Sequence, residues 1–192
     1  SIDTSPAAPL KIGFIGQISR HKGVDLLMDA FARLRSPARA LELRIYGGLP
    51  DEPYVRDLQR RASADPRMTL RGRFENARVG EVLADLDVLV VPSIWYENMP
   101  LSILESYATG TPVVTTRTGG MAEPIQHNEN GLHFKLGDAA DLAAQLQRLI
   151  DEPALLPRLK TGALASMPAS IDQEMEQLLL LYESAIATKI TA

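Results

Sequence analysis

Three charged residues, far apart along the chain, are of the types that could hold a polyanion flanked by hydroxyl groups: Lys22, Glu97 and Glu105. Lys22 lies in the loop Gly16-Gln17-Ile18-Ser19-Arg20-His21-Lys22-Gly23, directly after an apolar run. A lysine at the start of a helix opposes the helix dipole, and an anion that it must meet would explain its position. A solvated surface lysine is the alternative. Gly16 at the end of the run would let a ligand approach the backbone closely. The loop is neither a P-loop nor G-x-G-x-x-G, which removes those phosphate cradles and disfavours a nicotinamide-dependent enzyme.

The two carboxylates belong to Ser93-Ile94-Trp95-Tyr96-Glu97-Asn98-Met99-Pro100-Leu101-Ser102-Ile103-Leu104-Glu105. Asn98 reads as the N-cap of a helix from about Pro100 to Ala108, with Pro100 suited to its first turn. Backbone N–H groups near Met99 and Leu101 would then point toward a phosphate. With a rise of ~1.5 Å per residue, the carboxylates would stand roughly 8–12 Å apart. That span matches the distance between ribose and sugar ring in a nucleoside diphosphate sugar. Each end of such a ligand offers hydroxyl pairs that a carboxylate accepts well. Glu105 follows Leu101 and Leu104, so it reads as lying near the sheet-facing side, where a carboxylate needs a partner or a ligand. A surface loop acid and a solvated helix position are the ordinary readings of Glu97 and Glu105.

These loops require elements to position them. Apolar runs at Leu10–Ile15, Leu41–Tyr46, Met68–Leu70, Asp87–Pro92, Thr111–Thr115 and Gly131–Phe134 alternate with amphipathic helical stretches. About six alternations predict an α/β fold: a Rossmann-like, doubly wound parallel sheet of about six strands with a C-terminal helical extension. In such sheets ligands bind beyond the carboxyl ends of the strands, where both loops would fall. Residues 1–9 read as a linker from a missing N-terminal domain, 10–168 as the binding domain and 169–192 as a C-terminal helix.

Two other patterns are set aside. Asp85-Leu86-Asp87 spells D-x-D, but it spans a helix end and a strand start, so its side chains would diverge. His21, His127 and His133 lack ligand spacing. No metal site is expected. Net charge is −4 and the pI about 5.4, which disfavours a nucleic-acid-binding surface. The chain has 0 cysteines, so disulfides and thiolate metal sites are unavailable. No apolar run approaches a transmembrane span.

Together the loops resemble the C-terminal domain of the group 1 family of retaining glycosyltransferases, which has the GT-B architecture. The resemblance covers about Leu10 to Leu159. It rests on Glu97 to Glu105 as an E-x7-E motif, Gly110-Thr111-Pro112-Val113-Val114, Gly119-Gly120 with Glu123, Asn130-Gly131-Leu132, and Phe14-Ile15-Gly16 with Lys22-Gly23. It implies a donor-binding domain of an enzyme that transfers sugar from a nucleoside diphosphate sugar (of uridine or guanosine) to an acceptor hydroxyl, without metal or other cofactor. Lys22 would bind the diphosphate and Glu97 the transferred sugar, the two acting as catalytic residues. Glu105 would take the ribose hydroxyls. Gly16, Gln17 and the backbone of Asn98, Met99, Pro100 and Leu101 would meet phosphate and sugar. Arg73 and Phe74 would line the base pocket, mostly through backbone. Many family members carry Arg where this chain has Gln17, and Arg20 is the nearby cation that could compensate. The resemblance further implies an acceptor-binding N-terminal domain, inactivity of this half alone, and a helix near Ile171 to Ala187 that packs back on that domain. Its expected location is the cytoplasm, with any peripheral membrane attachment belonging to the full-length enzyme. A non-catalytic nucleotide-sugar-binding or scaffold module is the alternative.

Overall fold

A computed structural model describes residues 8–50, 52–98 and 100–167, together with 175, 179 and 180. Six strands, β1 (Leu10–Ile15), β2 (Leu41–Tyr46), β3 (Met68–Gly72), β4 (Val88–Val91), β5 (Val113–Thr116) and β6 (Gly131–Phe134), form one sheet in the order β3-β2-β1-β4-β5-β6. Every pairing is parallel. This is the expected Rossmann-like, doubly wound sheet. Its strand order reverses between β1 and β4, so the loops after those two strands diverge and leave a crevice.

The helices are α1 (Val24–Ala32), α2 (Pro53–Ala64), α3 (Val79–Ala84), α4 (Leu101–Ala108), α5 (Ala139–Asp151) and α6 (Leu155–Ala165). Alternate side chains of β4 enter two separate cores. Val88 and Val90 pack with α1, α2 and α5, whereas Leu89 and Val91 pack with Leu83, Ile103 and Tyr107 of α3 and α4. A strand sealed on both faces must be apolar throughout, which is why its residues read as one continuous run. On α1, Leu27, Ala30 and Phe31 are buried and Leu26 is partly buried, as the helical spacing predicts.

Helix α4 departs from expectation. Its N-cap is Pro100, not Asn98, and its buried residues are Ile103, Ser106 and Tyr107. Leu101 is 72% exposed. Apolar residues occupy more than one side of this eight-residue helix, so spacing alone could not choose the inward one. Packing against the sheet, α3 and α6 selected the Ile103–Tyr107 side. The helix ends as expected, with Gly110 at φ 72° just past Thr109.

Below the sheet, the Asp87 carboxylate accepts hydrogen bonds from Lys160 Nζ (2.7 Å) and the Lys11 amide (3.0 Å), and pairs with Arg39 (3.4 Å). Asp85 instead meets Lys11 and Arg44. The two aspartates therefore diverge as expected, and the described residues contain no group of three or more His, Cys, Asp or Glu placed to hold a metal ion. No helix among the described residues is long and apolar enough to cross a membrane. The linker reading lies outside the described residues up to residue 7, and the helix reading for Ile171 to Ala187 does so except at Met175, Leu179 and Leu180, all exposed.

Asp87→Ala should cost about 3–5 kcal/mol, because Lys160 would keep a buried charge without its carboxylate. Urea unfolding measures this, and a change within ordinary surface scatter would refute the assignment.

The rings of His127 and His133 stack at 5.9 Å, and His127 Nδ1 accepts from the His133 amide at 3.0 Å. Burial lowers both pKa values, helped by Arg148 and Arg117 at His127 and by His127 and Arg117 at His133. The folded values lie below the unfolded value of about 6.5, so the unfolded chain takes up protons first as pH falls. Stability from the neutral pair is present above about 6.5 and is lost as pH falls toward the folded values. The fall in melting temperature between about pH 7.5 and 5.5 should be smaller in His133→Phe than in the parent; equal falls would dismiss the pair as a titrating element.

Candidate functional site

The loops after β1 and β4 meet at the reversal point. Lys22 is the last residue of a single 3-10 turn (Arg20–Lys22), and α1 begins only at Val24. It is thus not the first residue of a helix, as its spacing suggested; Gly23, at φ 67°, breaks the chain between turn and helix. A Cβ on Gly23 would lie 2.1 Å from the Pro92 carbonyl oxygen, so only glycine allows the first loop to sit against the end of β4. The Ile94 amide then donates to the His21 carbonyl at 2.9 Å.

This contact carries Lys22 to Glu97. Lys22 Nζ donates to Glu97 Oε2 at 2.7 Å, and Ser93 Oγ donates to Glu97 Oε1. The side chains are 24% and 15% exposed, which makes the pair substantially desolvated and dependent on its mutual neutralisation. An ammonium has three N–H donors, so two remain for an anion; each carboxylate oxygen likewise retains acceptor capacity.

A third loop fixes the other side. Gly119–Met121 forms a 3-10 turn, and the Gly120 amide donates to the Glu97 carbonyl at 3.1 Å. A Cβ on Gly120 would fall 1.2 Å from the Asn98 carbonyl oxygen. The glycine pair is therefore a seat for the Glu97-Asn98 backbone. Asn130 anchors the following segment by accepting from the Gln126 amide and donating to the Pro124 carbonyl and Ser166 Oγ.

Gly16, Gln17, Arg73 and Phe74 line a cleft of about 730 Å³ beyond the ends of β1, β2 and β3. Phe74 meets Tyr46 edge to face at 5.7 Å, and Arg73 Nε lies 2.6 Å from where a Gly48 Cβ would project. Side chains as well as backbone thus shape this wall. Tyr46, Leu49 and Pro50 complete it; the Gly47-Gly48 pair ending β2 was the sequence signal for that second wall. Gln17 is exposed. Arg20, the cation considered as its substitute, stacks over the Tyr54 ring at 5.0 Å. Tyr54 in turn donates to Asp25 at 3.0 Å, and burial raises its pKa.

Glu105 is partly buried on α4, and its carboxylate has no hydrogen-bond or ion-pair partner among the described residues. Asn98 and Leu101 are exposed at the α4 entrance, Pro100 is intermediate, and Met99 lies outside the described residues.

The model of the family described as glycosyl transferases group 1 matches residues 9–152. The chain belongs to the group 1 glycosyltransferase family. It is 35% identical over 153 residues to the D-inositol 3-phosphate glycosyltransferase of Arthrobacter sp., with 78% of this chain matching 36% of that protein. It is 30% identical over 152 residues to the 2-deoxystreptamine glucosyltransferase of Streptomyces kanamyceticus, 79% of this chain matching 39% of that one. The chain spans about two fifths of the length of such relatives. In fold it is similar to Anabaena HepE, solved with UDP and glucose (TM-score 0.80, 22% identity, 93% of this chain and 49% of that chain). It is also similar to the C-terminal domain of the Francisella tularensis group 1 protein LpcC (TM-score 0.70, 19% identity, 86% and 96%).

Gly120→Ala should displace the Glu97-Asn98 backbone and cost about 1–3 kcal/mol. Unfolding curves together with a crystal structure of the variant check this, and an unmoved loop at parental stability would contradict the seat.

Proposed function

We propose that this chain is the donor-binding domain of a retaining glycosyltransferase that moves sugar from a nucleoside diphosphate sugar to an acceptor hydroxyl. The single observation that carries the reading is the Lys22–Glu97 pair at the reversal point of the sheet. The 730 Å³ cleft beside Gly16 would take the base, between Tyr46, Arg73 and Phe74. Glu105, without a partner among the described residues, would accept hydrogen bonds from the ribose hydroxyls. The diphosphate would lie against Lys22 and the Gly16 backbone.

Lys22 is a catalytic residue in this proposal because negative charge grows on the departing phosphate as the sugar leaves. A pre-placed ammonium with two free N–H donors stabilises that charge without reorganising. Glu97 holds the ammonium in place and offers its remaining lone pairs to hydroxyls of the transferred sugar. No step in this scheme requires a metal ion. The acceptor site and completion of the cycle belong to the rest of a longer enzyme, in keeping with the share of its relatives that this chain spans. A cytoplasmic setting accompanies the proposal. The uncharged Gln17 favours a second reading, a domain that binds donor but no longer supports transfer; the full-length enzyme's turnover separates the two.

Isothermal titration with UDP, GDP and ADP should detect one preferred nucleotide, with UDP the first probe in view of the HepE complexes. Glu105→Ala should weaken that nucleotide roughly tenfold or more, the scale of a hydrogen bond to a charged group. Unchanged affinity would remove Glu105 from the ribose site, and a folded parent that binds none of the three would remove the proposal itself.

A further inference from the structure

We infer that Trp95 and Tyr96 form a stacking platform for a pyranose ring at the rim of the Lys22–Glu97 site. Ile94, Trp95 and Tyr96 are consecutive, and 42%, 68% and 72% exposed respectively. Scattered exposed apolar residues are ordinary, but a contiguous group beside a charged site marks a binding surface. The segment is held at both ends, by the bond from the Ile94 amide to His21 and by the bond from the Gly120 amide to the Glu97 carbonyl. Ile94 leans over Gly23 on one side, and the Tyr96 ring rests near Gly119, its Cδ1 3.7 Å from where a Cβ would project. The segment from Ile94 to Tyr96 therefore bridges the two glycine loops, with Glu97 next in the chain. Its backbone is ordered by those anchors before any ligand arrives.

The residue types favour a sugar. Neither the Trp95 indole N–H nor the Tyr96 hydroxyl has a hydrogen-bond partner among the described residues. Each ring presents an apolar face and an unused polar edge. A pyranose has the complementary form: a face of C–H groups and a rim of hydroxyls. Glu97, next in the chain and with its side chain 15% exposed, offers further acceptor capacity for those hydroxyls. The ring bound here is either the donor's sugar or a free saccharide acceptor, and it rests on the reading of the neighbouring site as a sugar-transfer centre.

Trp95 is the 1 tryptophan of the chain, so its emission reports on this surface alone. Methyl α-glucoside, maltotriose, UDP and UDP-glucose are titrated separately, with UDP affinity also measured by calorimetry. A saturable blue shift with either free saccharide identifies an acceptor ring. A shift with UDP-glucose beyond that with UDP identifies the donor's ring. Tyr96→Ala should weaken the responding sugar roughly three- to tenfold, while UDP affinity and the circular dichroism spectrum stay at parental values. The proposal is overturned if all sugars leave the emission as UDP alone does, even where calorimetry shows UDP bound. It is equally overturned if emission follows protein concentration instead, with sedimentation showing self-association that Trp95→Ala abolishes; the patch is then a protein contact. Absence of UDP binding with a retained saccharide shift would count against the nucleotide reading and leave the platform standing.

Discussion

The contact between Lys22 and Glu97 is the constraint around which the carboxyl-end loops are arranged. A lysine and a glutamate separated by 75 positions can share a partly desolvated site only if the backbones that carry them are held close. Apart, each charge would lie in a poorly hydrated crevice without its counter-ion. Two glycine contacts enforce the approach. Gly23 lets the first loop reach the carbonyl of Pro92, and Gly120 lets the third loop reach that of Asn98. The loops beyond β1 and β5 thereby clamp the loop beyond β4 from either side.

Partner relations separate acids that hold the fold from acids available to a ligand. Asp85 and Asp87 are two residues apart and superficially resemble a metal-binding pair, but each is consumed by different cations. Glu97 is intermediate: both oxygens are engaged, yet by groups that could also face a ligand. Glu105 alone among these four has no hydrogen-bond or ion-pair partner among the described residues. A partly buried carboxylate without a hydrogen bond or ion pair among the described residues keeps its acceptor capacity for a ligand, which is the physical basis for the binding role proposed for it.

The arrangement also divides the site into regions of different character. The cleft at β1 to β3 has aromatic and glycine walls suited to a flat ring. The reversal point concentrates charge. Beyond it, Trp95 and Tyr96 present exposed aromatic surface. A ligand that is apolar and flat at one end, anionic in the middle and hydroxylated at the other would meet each region in turn.

Much of this was legible in the chain. Continuous apolar runs such as the one in β4 require burial on both faces, and their alternation with amphipathic helices leaves few topologies other than a doubly wound parallel sheet. The ordered landmarks from Gly16 to Asn130 were sufficient to indicate the family, because glycine and acid positions depend on local backbone geometry that sequence records directly. The sequence could not choose the buried side of α4, where apolar residues lie on more than one side and only contact with the sheet, α3 and α6 discriminates. Nor could it reveal that Arg20 stacks on Tyr54, that His127 and His133 share one site, or that Lys22 is joined to Glu97. Those are contacts between distant segments, decided by how the loops pack once the sheet has formed; no local propensity encodes them.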